Sequence, residues 1–393
     1  MTLPRNLSLL LTLLLALLLA PLAVAAQEVP ELQITSTHYI VIDAESGEVY
    51  AQRGANDQVA IASLTKVFTA VQALSMAPLD TTITTDESDL KSSEATTMGF
   101  GPGETYTLKD MIYGMMLPSG NDAAHAIART LGGQTGDSPD EAVQRFVDLM
   151  NKRAQDMGLK NTHLVNPDGW GVPGHHSSAW DVAAFMSYAM EYPFLVDVMG
   201  TREYTTSNGL ITVTNTNKMM NSYAPLLAGK TGYDNDAGWC LVNVARADGS
   251  TMIAVTLDGV APDDWYDDNM VLLDYGFERK AEIAASNTAF NGDVVSYTNP
   301  AAAELARAGQ PAAELQGEAA QAEANQPEAN ATLPELVPTV SKPSIQDISP
   351  GEGRWLAIIA AIALVGIRGG LRWRDGAPAT ARRRPVDTVA VDS

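Results

Sequence analysis

The sequence predicts an α+β domain: an antiparallel β-sheet flanked by helices, with an all-helical subdomain in the middle of the chain. Three observations predict it. Apolar residues alternate with period two near the start of the folded part, recur at helical spacing from Leu64 to Met190, and alternate again from Glu203 to Leu257 before a closing helix.

Thr37 to Tyr50 alternates around Ala44-Glu45-Ser46-Gly47 and reads as a hairpin. From Leu64 to Met76 the apolar positions are helical, with Ser63 at the start. Helices over Thr107–Met116 and Ala123–Leu131 are broken by Pro118-Ser119-Gly120-Asn121. Ser138-Pro139-Asp140-Glu141 is a capping box with proline at the first helical position, and opens a helix to about Met157. A further helix runs from Ala179 to Met190 and stops before Pro193. Strands at Glu203–Thr206 and Leu210–Thr214 flank Ser207-Asn208-Gly209, and strands at Trp239–Ala245 and Thr251–Leu257 flank Ala247-Asp248-Gly249-Ser250. The helix from Asp264 to Phe277 closes the domain.

The 393 residues carry 25 Lys and Arg against 47 Asp and Glu, a net charge of −22 that excludes a nucleic-acid binder working by phosphate neutralisation. A single cysteine, Cys240, excludes an intrachain disulfide or a thiolate zinc cluster, and reads as a core residue. Residues 1–26 carry Arg5, a Leu/Ala run and a small-residue end, the layout of a secretory signal. The catalytic body is expected over 27–280. A connecting and tether segment follows over 281–352, where Ala, Glu, Gln and Pro offer too little apolar surface to fold. Residues 353–374 are expected to form a membrane helix and 375–393 a basic cytoplasmic tail, because Arg368, Arg372, Arg374 and Arg382 to Arg384 all follow the apolar run. The expected location is a cell membrane, single-pass, with the folded body outside. An interfacial anchor is the alternative for the carboxy-terminal segment.

Three short motifs carry chemistry: Ser63-Leu64-Thr65-Lys66 at a helix start, Ser119-Gly120-Asn121 on an interhelical turn, and Lys230-Thr231-Gly232 heading a strand. Positions i and i+3 share a helix face, so the Lys66 amine can lie beside the Ser63 hydroxyl. A serine is a weak nucleophile until a base takes its proton, and Lys66 can be that base only if burial and a second cation, Lys230, lower its pKa. The helix amino terminus makes the Ser63 amide a natural half of an oxyanion hole. A glycine at 232 lets substrate backbone approach the strand closely.

In this order the motifs resemble the signature of serine D-alanyl-D-alanine carboxypeptidases, the low-molecular-mass penicillin-binding proteins, which share a fold with serine β-lactamases. Asn166-Pro167-Asp168-Gly169, Ser177 to Asp181, Ala228 to Tyr233 and Ala237-Gly238 extend the resemblance over about residues 35–278. The resemblance implies acylation of Ser63 by the D-Ala-D-Ala end of a peptidoglycan stem peptide and covalent inhibition by β-lactams, with no cofactor. It implies Lys66 as base, Ser119 as proton relay and Asn121 as partner of the substrate amide. Lys230 and Thr231 would hold the substrate carboxylate, with Gly232 beside them and the Tyr233 amide completing the oxyanion hole. No Glu-x-x-Leu-Asn stands between Asn121 and Lys230, so efficient antibiotic hydrolysis is not expected. Relatives often carry a basic residue just after the hairpin turn that follows K-T-G, whereas this turn reads Asp248-Gly249-Ser250-Thr251 with Arg246 close by in sequence, which keeps open a DD-endopeptidase acting on crosslinks. A catalytically idle wall-binding scaffold is the non-enzymatic alternative. A zinc peptidase is disfavoured, since His38, His125, His163, His175 and His176 form no H-E-x-x-H.

Overall fold

The computed structural model describes residues 32–261, 264–286 and 289–301. The expected signal segment, most of the tether, the membrane helix and the basic tail lie outside the described residues. Among the described residues no helix is long and apolar enough to cross a membrane.

Strands β1 (His38–Asp43), β2 (Val49–Arg53), β7 (Leu226–Asp234), β8 (Gly238–Ala247) and β9 (Ser250–Gly259) form one sheet in the order β2-β1-β9-β8-β7. Every pairing is antiparallel. Alternation assigns the two faces: Ile40, Ile42, Val242, Val244, Ile253 and Val255 join one core, and Tyr39, Val41, Leu241, Ala245, Met252 and Ala254 the other. The second core is closed by α8 (Asp264–Ser286) through Trp265, Leu272 and Leu273. The first is closed by the helical layer: α1 (Thr65–Met76), α2 (Leu108–Met116), α3 (Asn121–Gly132), α4 (Pro139–Met157) and α5 (Ala179–Ala189). In α1 every residue from Thr65 to Ala73 is buried, so the helix that follows Ser63 is wrapped on all sides and held rigid. Phe68 of α1 stacks on Phe185 of α5 with ring centroids 3.8 Å apart.

The expected hairpins and helices are present, with four differences. Pro193 does not merely end a helix; it is the first residue of a new one, α6 (Pro193–Met199), because a ring-locked φ suits a first turn as well as a stop. The small ribbon β3 (Thr82–Thr84) with β4 (Thr105–Thr107) has segments too short to show a period. The hairpin at Glu203–Thr205 (β5) and Thr212–Thr214 (β6) is a separate two-stranded unit, and a single turn of helix, α7 (Met219–Ser222), leads from it into β7. The closing helix runs on to Ser286, and the chain then straps back across the body: Val49 N–H donates to Asp293 O at 2.9 Å, Val295 N–H to Gly47 O at 2.8 Å and Thr298 N–H to Met157 O at 3.1 Å.

Asp268 of α8 anchors the chain ahead of β1. Its buried carboxylate accepts the Thr35 and Ser36 N–H groups at 2.9 and 2.7 Å and their hydroxyls at 2.9 and 2.6 Å. Asp268→Ala orphans four donors and is expected to cost about 3 kcal/mol, seen as a Tm lower by about 8 °C; a change within 2 °C contradicts this role.

Candidate active site

Ser63 lies on a 3-10 turn, Ala62–Leu64, that runs into α1. Ala62 has φ +45°, a left-handed conformation that an alanine holds only under outside constraint. As the i, i+3 spacing predicts, Lys66 Nζ is 2.7 Å from Ser63 Oγ. Its other two neighbours are Asn121 Oδ1 and the Asp168 carbonyl oxygen, both at 2.7 Å.

Lys66 is fully buried, and burial lowers its pKa to about 8 against the opposing pull of Asp168 and Asp122. The second cation acts differently from expectation. Burial first, and then the Lys66 charge, hold Lys230 well below the ordinary lysine value, whereas burial alone is what lowers Lys66. The hydrogen count around Nζ is decisive. A neutral amine has two hydrogens and one lone pair; the Asn121 and Asp168 oxygens can only accept, so they take both hydrogens and leave the lone pair facing the Ser63 hydroxyl.

Ser119 and Asn121 come from the turn between α2 and α3 and the first residue of α3. Ser119 itself has φ +65°. Thr96 clamps the turn from both sides, its hydroxyl donating to Ser119 O at 2.7 Å and its carbonyl accepting Asn121 N–H at 2.8 Å. The Asp122 carboxylate, whose pKa burial pushes up, accepts the Met98 and Gly99 N–H groups at 2.8 and 2.9 Å and so fixes that clamp to α3.

Lys230, Thr231, Gly232 and Tyr233 lie on β7, the edge strand. They do not head it as expected: the strand begins at Leu226, because the apolar Leu226-Leu227-Ala228 already pairs into the sheet. Lys230 Nζ donates to Ser119 Oγ at 2.9 Å and to Thr231 O at 2.7 Å. Thr231 Oγ1 shares a hydrogen bond with Thr216 Oγ1 at 2.7 Å. Gly232 is glycine because the 3-10 turn presses on it: a Cβ there would lie 3.0 Å from Ser63 N and 3.2 Å from Ala62 Cβ. The close approach expected there was that of substrate backbone; the contact found is with the nucleophile's own backbone.

Between the turn and β7 opens a cleft of about 350 Å³. Ser63, Ser119, Asn121, Thr231, Gly232 and Tyr233 line it, while Lys66 and Lys230 are buried behind them. All eight residues expected from the motifs are thus brought together. Beyond Tyr233 the rim is an aromatic ladder, Tyr233–Trp239–Trp265–Tyr266, with successive centroids 4.3, 5.0 and 3.8 Å apart. Sequence reasoning assigned no role to Asp168, whose contribution is a backbone oxygen, or to Thr216, which reaches Thr231 across the sheet edge. The only signal was the Asn166-Pro167-Asp168-Gly169 turn, closed by Gly169 N–H donating to Asn166 Oδ1 at 2.7 Å.

The remaining candidates lie elsewhere. Cys240 is buried in β8 with its thiol pushed up to about 12 by burial, a core residue as expected. Arg246 pairs with Thr251 and its Nε donates to Thr251 Oγ1 at 3.1 Å. It stands four residues along β8 from Val242, the partner of Lys230, which puts it about 13 Å from the cleft motif. The histidines are engaged separately: His38 with Asp57, His125 with Asp89, His163 and His176 with each other through their backbones, and His175 with Thr65.

Comparison with known proteins gives the family and the fold. The chain is 32% identical over 287 residues to the D-alanyl-D-alanine carboxypeptidase DacF of Bacillus subtilis, covering 70% of this chain and 71% of that one. It is 31% identical over 246 residues to DacB2 of Mycobacterium tuberculosis, a protein of the same description, covering 61% and 81%. The crystal structure of the Streptomyces K15 DD-transpeptidase superposes with a TM-score of 0.60 at 29% identity, over 64% of this chain and 100% of that one. The profile of the Peptidase S11 family, described as D-alanyl-D-alanine carboxypeptidase, matches residues 23–261, and the chain belongs to that family.

Proposed function

We propose that this chain is a serine-type D-Ala-D-Ala carboxypeptidase that removes the terminal D-Ala of peptidoglycan stem peptides through an acyl-enzyme on Ser63. The observation that carries the reading is the Lys66 amine, 2.7 Å from Ser63 Oγ with both its other neighbours pure acceptors. Ser63 Oγ attacks the carbonyl carbon of the penultimate D-Ala as its proton passes to Lys66 Nζ. The charge that develops on the carbonyl oxygen is met by the Ser63 and Tyr233 amides. Ser119 passes its hydroxyl proton to the leaving amine and takes one from Lys230, which donates to it at 2.9 Å; the C–N bond breaks and D-Ala departs, leaving an ester on Ser63. Water then cleaves the ester and restores the hydroxyl: Lys66 returns its proton to Ser63 Oγ while the proton of the attacking water passes back through Ser119 to Lys230. Thr231, supported by Thr216, receives the substrate carboxylate beside Lys230.

Penicillin mimics the acylating group and is expected to form the same ester. The position facing Lys66 from the 166–170 loop is a backbone carbonyl rather than a free carboxylate, since Asp168 Oδ1 accepts Trp170 N–H at 2.8 Å. The penicilloyl adduct is therefore expected to outlast the peptide acyl-enzyme, read as a half-life of minutes or longer. We also propose that the catalytic body works outside the cytoplasm, held at the bacterial cell membrane by residues 353–374. A reporter fused after Ser393 is expected on the cytoplasmic side.

The deciding experiment incubates the purified full chain with a free stem pentapeptide and with a crosslinked dimer, and measures D-Ala released from the first and monomer formed from the second. Release from the pentapeptide supports the carboxypeptidase. Cleavage of the dimer alone replaces it with the endopeptidase reading, and no cleavage of either, with no penicillin adduct, leaves the wall-binding scaffold.

A further inference from the structure

Among the buried groups that this reaction does not use, His175 is joined through Thr65 by two hydrogen bonds to the carbonyl of Ala62, the residue before the nucleophile. It is 6% exposed and ends the loop that follows Leu164. Its Nδ1 accepts the Val165 N–H at 3.1 Å, and an accepting ring nitrogen carries no proton, so the hydrogen of the neutral ring is on Nε2. Burial keeps the ring neutral by lowering its pKa to about 4. Nε2–H points at Thr65 Oγ1, 2.8 Å away. The hydroxyl's own hydrogen is thereby turned toward its other neighbour, the Ala62 carbonyl oxygen, also at 2.8 Å.

Ala62 immediately precedes Ser63 and holds the left-handed φ of +45°. Such a residue keeps its conformation only when its surroundings hold it, and a bond to its carbonyl is one such restraint. The same loop supplies a second restraint: a Cβ on Gly169 would lie 1.9 Å from Ala62 O, so the Gly169 backbone is pressed onto that oxygen.

We infer that His175 is a positioning residue that acts through Thr65 to fix the Ala62 carbonyl, and with it the turn that aims the Ser63 hydroxyl at Lys66. Its Nδ1 bond meanwhile pins the start of the loop whose Asp168 carbonyl holds the Lys66 amine, so one ring orders both members of the pair. The inference rests on the proposed role of Ser63. Neither His175 nor Thr65 lines the cleft, so the effect belongs in kcat and in the acylation rate rather than in KM.

The test measures the rate of penicillin acylation together with peptide kcat and KM. A glutamine at 175 can place an amide donor where Nε2 stands, whereas asparagine stops short at the level of Nδ1. His175→Asn and Thr65→Val are each expected to slow acylation by about 10- to 100-fold, with KM within about twofold. His175→Gln keeps a donor for Thr65 but no acceptor for the Val165 N–H, so it should acylate faster than His175→Asn, and Thr65→Ser should stay near wild type. The double variant His175→Asn, Thr65→Val should be no slower than either single one, since both cut the same line. Wild-type rates in the Asn and Val variants, a Gln variant as slow as Asn, or a loss lodged in KM would overturn the inference. If His175→Asn is unfolded at the assay temperature by circular dichroism, the pair Thr65→Val and Thr65→Ser decides alone. Wild type is acylated first as a control: no adduct there retracts the proposed function, whereas a wild-type adduct with unaffected variants retracts only the role of His175.

Discussion

Ser63→Ala is expected to lower kcat/KM for a D-Ala-D-Ala peptide by about 10⁴-fold or more, while the Tm moves by less than about 2 °C. The asymmetry follows from where the hydroxyl sits. It lines the cleft from the middle of the 3-10 turn and contributes to no core, so its removal takes away the nucleophile without disturbing α1. Lys66, Lys230 and the Ser119 turn remain in place to bind the peptide, and binding should survive when read by KM or by a non-acylating ligand. A variant retaining more than about a hundredth of wild-type activity would mean that water, rather than Ser63, attacks the peptide.

The second large effect belongs to Lys66. Only the neutral amine can accept the serine proton, and burial brings its pKa to about 8. Relative to an ordinary lysine near 10.4, this raises the neutral fraction at pH 7 about 200-fold. The acylation rate should therefore climb about tenfold per pH unit below pH 8 and flatten above it. Lys66→Arg keeps a cation but cannot release a proton in this range, and is expected to slow acylation by about 10³-fold and to abolish that rise. The sign of the accompanying stability effect is opposite to that of a paired ion. Because the folded pKa lies below the unfolded one, burial of the charge costs about 3 kcal/mol at neutral pH, and this loss is recovered between about pH 8 and 10 while the unfolded lysine is still protonated. A pH-independent acylation rate between 6 and 9 would contradict the assignment of Lys66 as base.

How far the site was legible depended on whether its parts are local. Ser63 and Lys66 share a helix face, and Ser119 to Asn121 occupy a marked turn, so spacing alone exposes both pairs. Their convergence on Lys230 requires the helical layer to pack on the face of a sheet whose edge is β7, which no local pattern encodes. Groups that act through backbone atoms or across elements stayed hidden: the Asp168 carbonyl is independent of its side chain, and the Thr216–Thr231 contact joins residues of two different segments. Pro193 misled for the opposite reason, because a proline stops one helix and starts another by the same fixed φ. The strap from Asp293 to Thr298 reads as mere connection because its bonds to Val49, Gly47 and Met157 are made by backbone groups.

The most direct measurement is mass spectrometry of the purified chain after brief exposure to penicillin, with proteolysis to locate the modification. The account predicts one added penicillin per chain, carried on the peptide that contains Ser63 and Lys66 and placed on the serine. An intact mass without the addition, or the addition mapped to a residue outside that peptide, would contradict it.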